Sequence, residues 1–285
     1  MKKFILICLS LLLGLLIYQR FCRIRTVHAP ASSGQRLISL SPSLTEILFE
    51  LGVGEHLVGV TTYCVYPPEA QKKEKVGDFV NTNFEKMLSL KPDLVFAESW
   101  SSSKIVSRLQ ESSLKVVEVN SPLAIEEIYQ VILRVGQAVQ RQERAREIEA
   151  GMRKRVEAIR AQAQKFPSRP DIYIEIDLPS WTVGRNSYVT EAVTLCGARN
   201  IFEDVEKPAL QASKEVIIRR NPDVILTFDA SSSDFQQRPG WAQIKAVRQG
   251  RIIDDVGRNL LSHGNHRLVV GMEQLQSRLL QMLRQ

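Results

Sequence analysis

A polar cluster near the C-terminus carries side chains of the types that bind ligands. Asn259, His263, His266 and Arg267 precede a segment with helical spacing that continues to about Leu283. An amide and a guanidinium form hydrogen bonds with polar ligand groups, and an imidazole can also coordinate a transition metal. A surface histidine that touches nothing is the simpler interpretation of His263. The cluster therefore predicts a polar loop and leaves metal ligation by His263 open.

Motifs for covalent chemistry do not accompany this loop. Gly52-Val53-Gly54 follows a predicted helix and lacks the third glycine of a dinucleotide-binding loop, so it predicts a helix end and a turn. The sequence contains no P-loop, no Gly-x-Ser-x-Gly elbow and no His-Glu-x-x-His motif. Four histidines are too few for a His-rich zinc receptor. We expect no enzyme, no resident metal and no cofactor.

An internal repeat indicates how the ligand-binding residues are positioned. Glu85–Val95 aligns without a gap on Glu215–Ile225, and each stretch predicts a helix, a Pro-Asp turn and a buried strand. A second repeated set pairs Thr45, Glu46 and Gly52 with Thr190, Glu191 and Gly197. The two sets recur after 130 and 145 residues. Solenoid repeats recur every 20 to 50 residues, so these much longer periods predict two similar lobes. A cleft between two lobes is a common place for a small ligand.

The N-terminal segment resembles an export signal and carries most of the excess charge. The chain has 285 residues and a net charge of +7, but without residues 1–29 the balance falls to about +2, so no nucleic-acid partner is expected. The apolar run Phe4–Tyr18 is shorter than the roughly 20 residues of a membrane-spanning helix. We expect residues 1–31 to be a cleaved signal peptide, with an uncleaved anchor that tethers the chain to the membrane as the alternative. The surroundings of Cys8 and Cys22 disfavour a lipoprotein.

The pattern beyond the leader predicts two α/β lobes around a helical connection. Residues 36–121 and 170–285 alternate apolar strands with helices, which implies parallel sheets, and residues 122–166 read as almost continuous helix. Within the connection, the charged stretch Glu143–Phe166 predicts one long rigid helix that limits movement between the lobes. Ser43 and Glu46 match a capping box. Cys64 and Cys196, one in each lobe, are expected to be free and buried.

Several short motifs follow one another in a fixed order along residues 36–285. They are Leu40–Ser43 with Thr45-Glu46, Tyr63, Tyr66–Ala70, Val76-Gly77, Lys91–Val95, Ser213–Glu215, Trp241, Gly250-Arg251 and Arg267. By these motifs the chain resembles the periplasmic substrate-binding proteins that deliver cobalamin and iron chelates to ABC importers, and most closely the cobalamin-binding branch. The resemblance implies two Rossmann-like lobes joined by a long rigid α-helix, the class III periplasmic-binding-protein fold.

This resemblance implies a ligand site between the lobes, where aromatic side chains lie against a flat ring. Its aromatic candidates are Tyr63, Phe79, Trp100 and Trp181, with Tyr66 as a further possibility, whereas Trp241 has the spacing of a core residue. Asn259 and His263 stand where the cobalamin-binding relatives carry an acid and an arginine toward the ligand. Tyr63 and Trp181 are expected in loops that follow strands, which favours ligand contact for them. Core packing is the alternative for the aromatic residues.

The resemblance also implies a membrane partner. Asn83 and Ser213 predict N-caps, which places Glu85 and Glu215 in the first turns of equivalent helices, where the helix dipole stabilises a carboxylate in any case. In the family, glutamates at these positions lie at the lobe tips and meet arginines of a dimeric ABC permease, which works with ATPase subunits. We therefore predict permease docking by Glu85 and Glu215.

The predicted function is capture of a cobalamin-like corrinoid, outside the cytoplasmic membrane or in the periplasm, and its delivery to the permease. Haem or a ferric siderophore is the alternative cargo. Haem would need Tyr63 or His263 as an iron ligand, and an anionic siderophore would need arginines in the cleft, for which Arg185 and Arg267 are the candidates. An enzyme of corrinoid or metal metabolism and an anchored scaffold without a ligand are the alternatives from other classes.

Overall fold

Two four-stranded parallel sheets with the same strand order organise the folded part of the chain. The computed structural model describes residues 34–78, 81–99, 107–109, 111–112 and 114–284. The first sheet runs β2-β1-β3-β4, with β1 Leu37–Ser39, β2 Leu57–Val60, β3 Leu94–Glu98 and β4 Val116–Val119. The second runs β10-β9-β5-β7, with β5 Asp171–Glu175, β7 Arg199–Asn200, β9 Val224–Thr227 and β10 Ile252–Ile253. Counted within each lobe, both orders are second-first-third-fourth, as in doubly wound α/β proteins.

Helices surround the two sheets, and a small antiparallel pair lies beside the second. The pair joins β6, Trp181–Val183, to β8, Ala209–Gln211. In the first lobe the helices are α1 Pro42–Glu50, α2 Pro68–Gln71 and α3 Phe84–Ser89, followed by α4 Ile125–Ala138 and α5 Gln142–Ala163. In the second lobe they are α6 Tyr188–Leu195, α7 Lys214–Arg220, α8 Ser232–Gln237, α9 Lys245–Arg248, α10 Arg258–Ser262 and α11 Leu268–Leu283. The described helices include none with the length and apolar character to cross a membrane.

The repeated Pro-Asp turn has the same structural role in both lobes. Asp93 accepts a hydrogen bond from the Arg36 amide at 2.7 Å through its side chain and donates its own amide to the Arg36 carbonyl at 2.8 Å. Asp223 makes the same pair of contacts with Asp171, at 3.0 and 2.8 Å. In each lobe the turn therefore fastens the start of the third strand to the chain at the start of the first, which explains why the sequence repeats there.

The helix α5 connects the two lobes. Its 22 residues give a length of about 33 Å, and it packs against α4 on one side and against α6 and α11 on the other. Its buried residues, Ala145, Met152 and Ile159, are seven positions apart and form one narrow apolar stripe. The remaining faces are charged, as the sequence predicts, although the helix begins one residue earlier and ends three residues earlier than expected.

Two local predictions from the sequence are wrong. Ser43 does not cap the first helix, because α1 begins at Pro42, follows Ser41 and has no side-chain cap. The Ser43 hydroxyl instead points to the Gly264 carbonyl at 3.5 Å, and Glu46 is buried against the other lobe. Trp181 lies in the strand β6 and not in a loop. By contrast, Cys64 and Cys196 are free and buried, as predicted.

Candidate functional site

A cavity of about 670 Å³ lies where the carboxyl ends of the first sheet face the second lobe. Ligands of open α/β sheets bind at the carboxyl ends of the strands, because the loops that follow them converge there. The first lobe supplies Ser41, Pro42, Ser43, Thr62, Tyr63, Val65, Glu98, Ser121 and Pro122. The second lobe supplies Tyr188, Arg258, Asn259, Ser262, His263 and Gly264. The volume is within the range of small-molecule sites.

A buried carboxylate forms part of the cavity wall in the first lobe. Glu98 is the last residue of β3 and is 6% exposed. The Ser41 hydroxyl donates to one of its oxygens, and the Ser121 hydroxyl donates to the other at 3.4 Å. Across the cavity, the hydroxyl of Tyr188 donates to the Ser262 carbonyl at 2.6 Å. Burial raises the pKa of Tyr188, and the charge of Glu98 raises it further, so this phenol stays protonated.

One strongly basic side chain, Arg258, belongs to the described lining of the cavity. Its guanidinium lies 2.5 Å from an oxygen of Asp229, so its charge already has a partner. The two arginines that the sequence suggested for an anionic ligand, Arg185 and Arg267, are not part of the lining. Arg185 pairs with Glu206 at 3.2 Å. The described lining therefore offers several hydroxyl groups and the side-chain amide of Asn259, and it is poor in unpaired positive charge.

The lobes are held together beside the cavity by a buried carboxylate on α1. Glu46 is 2% exposed and accepts hydrogen bonds from three side chains of the opposite lobe. Nδ1 of His263 lies 2.9 Å from Oε1, whereas Nδ2 of Asn265 and a guanidinium nitrogen of Arg267 lie 2.9 and 3.1 Å from Oε2. The polar loop predicted from the sequence is thus largely occupied by a contact between the lobes.

The same contact divides the space between the lobes. The guanidinium of Arg267 stacks 3.5 Å from the centre of the Tyr66 ring. Tyr66, His266 and Arg267 line a second cavity of about 710 Å³, together with Glu46. His266 lies deep in this contact, and burial lowers its pKa, with Arg267 and Arg144 acting in the same direction and Glu50 and Glu46 opposing. Its Nδ1 has no hydrogen-bond partner within the described ranges.

The predicted ligand residues are only partly brought together. Tyr63, Asn259 and His263 line the first cavity, and Tyr63 is 55% exposed. Trp181, 41% exposed, follows the carboxyl end of β5 but is not part of the lining. Phe79 and Trp100 lie outside the described residues, as does the predicted leader. Trp241 is buried in the second-lobe core, as its spacing predicts.

The predicted docking residues occupy equivalent positions on the two lobes. The side chain of Asn83 accepts from the Lys86 amide at 2.9 Å, and that of Ser213 accepts from the Val216 amide at 3.3 Å, so both N-caps are confirmed. Glu85 and Glu215 lie in the first turns of α3 and α7 and are exposed. Neither carboxylate has an ion-pair partner among the described residues.

Sequence reasoning missed Glu98, Tyr188 and Arg258. Glu98 could have been found, because a charged residue that ends an apolar parallel strand lies at the edge of the sheet where ligands bind. Tyr188 and Arg258 gave no such signal, since their place in the cavity depends on how the lobes meet. In the described part of the chain, no group of three or more His, Cys, Asp or Glu side chains is arranged to hold a metal ion.

Two lobes with parallel sheets of the same strand order, joined by a long helix and enclosing a cavity, define the class III periplasmic-binding-protein fold. Residues 37–257 match the family described as "Periplasmic binding protein". The chain belongs to this family.

Individual relatives cover most of the chain. An uncharacterized ABC transporter substrate-binding lipoprotein, YvrC of Bacillus subtilis, is 34% identical over 249 residues, which cover 85% of this chain and 78% of the relative. A vitamin B12-binding protein of Yersinia pestis is 32% identical over 206 residues, or 71% of this chain and 72% of the relative. The apo structure of the periplasmic heme-binding protein RhuT from Roseiflexus sp. RS-1 superposes with a TM-score of 0.79 at 26% identity, and covers 88% of this chain and 100% of that one.

Proposed function

We propose that this protein is the substrate-binding component of an ABC importer and captures a cobalamin-like corrinoid between its lobes. The cavity at the carboxyl ends of the first sheet, closed by the second lobe, is the observation that carries the proposal. The similarity to a substrate-binding lipoprotein and a vitamin B12-binding protein supports the transport role. We place the protein outside the cytoplasmic membrane, with the N-terminal segment as a signal peptide or a tether.

The charges of the lining favour a corrinoid. A corrin ring is rimmed by neutral amides, which donate and accept hydrogen bonds. Glu98 can accept from such amides, Asn259 can both donate and accept, and the serine and threonine hydroxyls add further partners. Haem and ferric siderophores commonly carry carboxylates, which would approach Glu98 while Arg258 is already paired with Asp229. Haem remains the second candidate because RhuT shares the fold and because Tyr63 and His263 lie in one cavity.

The proposal includes ligand contact by Tyr63, Asn259 and His263. It also includes a wider contact surface to which Trp181, Phe79 and Trp100 contribute. Tyr63 presents a large, exposed ring to the cavity. Aromatic rings supply broad apolar area with a polar tip, which suits a flat ring rimmed by polar groups. Delivery to a dimeric permease and its ATPase subunits through Glu85 and Glu215 completes the proposed cycle.

The test is a titration of the purified full-length chain, in mild detergent, with cobalamin, cobinamide, haemin and a ferric siderophore. Quenching of intrinsic tryptophan fluorescence reports binding. Saturable binding of the corrinoids in preference to the other chelates supports the proposal, whereas preference for haemin moves the cargo to the second candidate. Failure of all four to bind would contradict a chelate-transport function.

A matched pair of variants locates the site. Tyr63→Ala should weaken corrinoid binding by roughly 10- to 100-fold, the equivalent of about 1.5–3 kcal/mol for burial of one large side chain. Tyr66→Ala is the control, because Tyr66 is 42% exposed on the same loop but lies in the second cavity beneath Arg267. Equal losses in the two variants would show that the ligand does not occupy the first cavity.

A further inference from the structure

One nitrogen of His263 is committed to the contact between the lobes. Its Nδ1 lies 2.9 Å from Oε1 of Glu46. An ionised carboxylate only accepts hydrogen bonds, so Nδ1 must carry a proton and donate. Glu46 is buried, and Asn265 and Arg267 donate hydrogen bonds to its other oxygen, Oε2. These bonds fix the orientation of the carboxylate, and therefore the direction in which Oε1 faces His263. In the neutral ring, this arrangement selects the tautomer whose lone pair is on Nε2.

The other nitrogen is available to the cavity. His263 lines the cavity, and its side chain keeps 20% of its surface exposed. Within the described ranges Nε2 has no hydrogen-bond partner. The buried side-chain atoms there without a partner are Thr182 Oγ1 and His266 Nδ1, so Nε2 of His263 is accessible and not buried. His266 is the opposite case, since its Nδ1 is buried without a partner and its Nε2 lies 3.6 Å from Glu50.

The loop that carries His263 is pinned from three sides. The Gly264 amide donates to the Tyr188 hydroxyl at 3.0 Å, and Asn265 is 1% exposed. A Cβ atom on Gly264 would lie 2.8 Å from the Pro122 ring, so the loop approaches the first lobe as closely as a glycine permits. A ring held by a carboxylate on a pinned loop keeps its orientation when a ligand binds. Carboxylate-held histidines are arranged in the same way at metal centres, where the carboxylate orients the ring and raises its basicity.

We propose that Nε2 of His263 is an axial ligand to the metal of the bound chelate, and that Glu46 is the positioning residue for it. The inference rests on the proposed function, because the metal arrives with the cargo. On binding, the lone pair of Nε2 forms a bond to the metal, and the water molecule that held this axial position leaves for the solvent. The oxidation state of the metal does not change. Chelates with an exchangeable axial position are therefore the preferred cargo.

The experiment compares two corrinoids that share a ring and differ at the metal. Aquacobinamide has exchangeable axial water, whereas both axial positions of dicyanocobinamide are occupied by cyanide. Tryptophan quenching reports binding of each, and the visible absorption bands of the corrin report axial ligation. We expect the full-length protein to shift the bands of aquacobinamide and to leave those of dicyanocobinamide unchanged. This comparison needs no variant and does not depend on a mutant that folds.

Variants then assign the shift to one side chain. His263→Ala should abolish it. Glu46→Gln should weaken ligation by roughly 10- to 100-fold, as loss of an orienting carboxylate does at metal sites. His266→Ala should leave the shift unchanged. If the native protein binds aquacobinamide without a band shift, or if His263→Ala retains the shift, the inference is overturned while the proposed function stands. If none of cobalamin, cobinamide, haemin and the ferric siderophore binds at all, the proposed function itself fails.

Discussion

Replacement of Glu46 by glutamine should reveal how much the contact between the lobes contributes to stability. Glu46 accepts three side-chain hydrogen bonds from residues 263–267, and two of these converge on Oε2. A glutamine keeps one acceptor oxygen and puts an NH₂ group in place of the other. An NH₂ group at the Oε2 position faces the donors of Asn265 and Arg267, whereas an NH₂ group at the Oε1 position requires His263 to change to the tautomer in which Nδ1 accepts. In either orientation Arg267 loses its counter-charge.

The expected cost is about 3 kcal/mol of unfolding free energy. Breaking a buried ion pair by removing one partner costs about 3–5 kcal/mol. The lower end applies because the Arg267 side chain is 19% exposed and stacks on Tyr66, so water and the ring compensate part of the loss. For a folded part of this size, about 3 kcal/mol corresponds to a fall of roughly 6–12 °C in the melting temperature.

Glu191→Gln provides the matched control, because the internal repeat places Glu191 at the position equivalent to Glu46. Glu191 is exposed and accepts one hydrogen bond, from the Ile125 amide at 2.7 Å, which a glutamine oxygen can still accept. Its replacement should cost less than about 1 kcal/mol. Urea unfolding of both variants, followed by circular dichroism, supplies the comparison. If Glu46→Gln is no more destabilising than Glu191→Gln, the buried carboxylate does not hold the lobes together and the argument is wrong.

Two further predictions concern the lobe tips and the buried histidine. Glu85→Arg combined with Glu215→Arg should leave ligand affinity unchanged and abolish uptake in cells that contain the cognate permease. The control Glu69→Arg, at another exposed first-turn glutamate, should not abolish uptake. Normal uptake by the double variant would reject docking at Glu85 and Glu215. Because burial lowers the pKa of His266, the unfolded chain takes up its proton at a higher pH than the native chain, and the unfolding free energy should fall as the pH drops below about 6.5. His266→Gln should flatten this dependence in urea titrations across that range. An unchanged slope in His266→Gln would show that another group is responsible.

Local features of the fold could be predicted from the sequence because they depend on residues close together in the chain. The N-caps Asn83 and Ser213 and the helices that they begin follow from short-range hydrogen bonds. The repeated stretch around Asp93 and Asp223 indicated two equal lobes, and both sheets have the same strand order.

Contacts between the lobes were decided by the tertiary structure alone. Glu46 has the spacing of a capping box with Ser43, and nothing local indicates that it meets His263, 217 positions away. Arg267 has the same character in sequence whether it faces a ligand or, as here, a buried carboxylate. The composition of the cavity, with Glu98 on one side and Tyr188 on the other, depends in the same way on the packing of α5 against helices of both lobes. Short-range propensities define each lobe, but long-range packing determines which side chains meet across the cleft, and therefore which of them are left to bind a ligand.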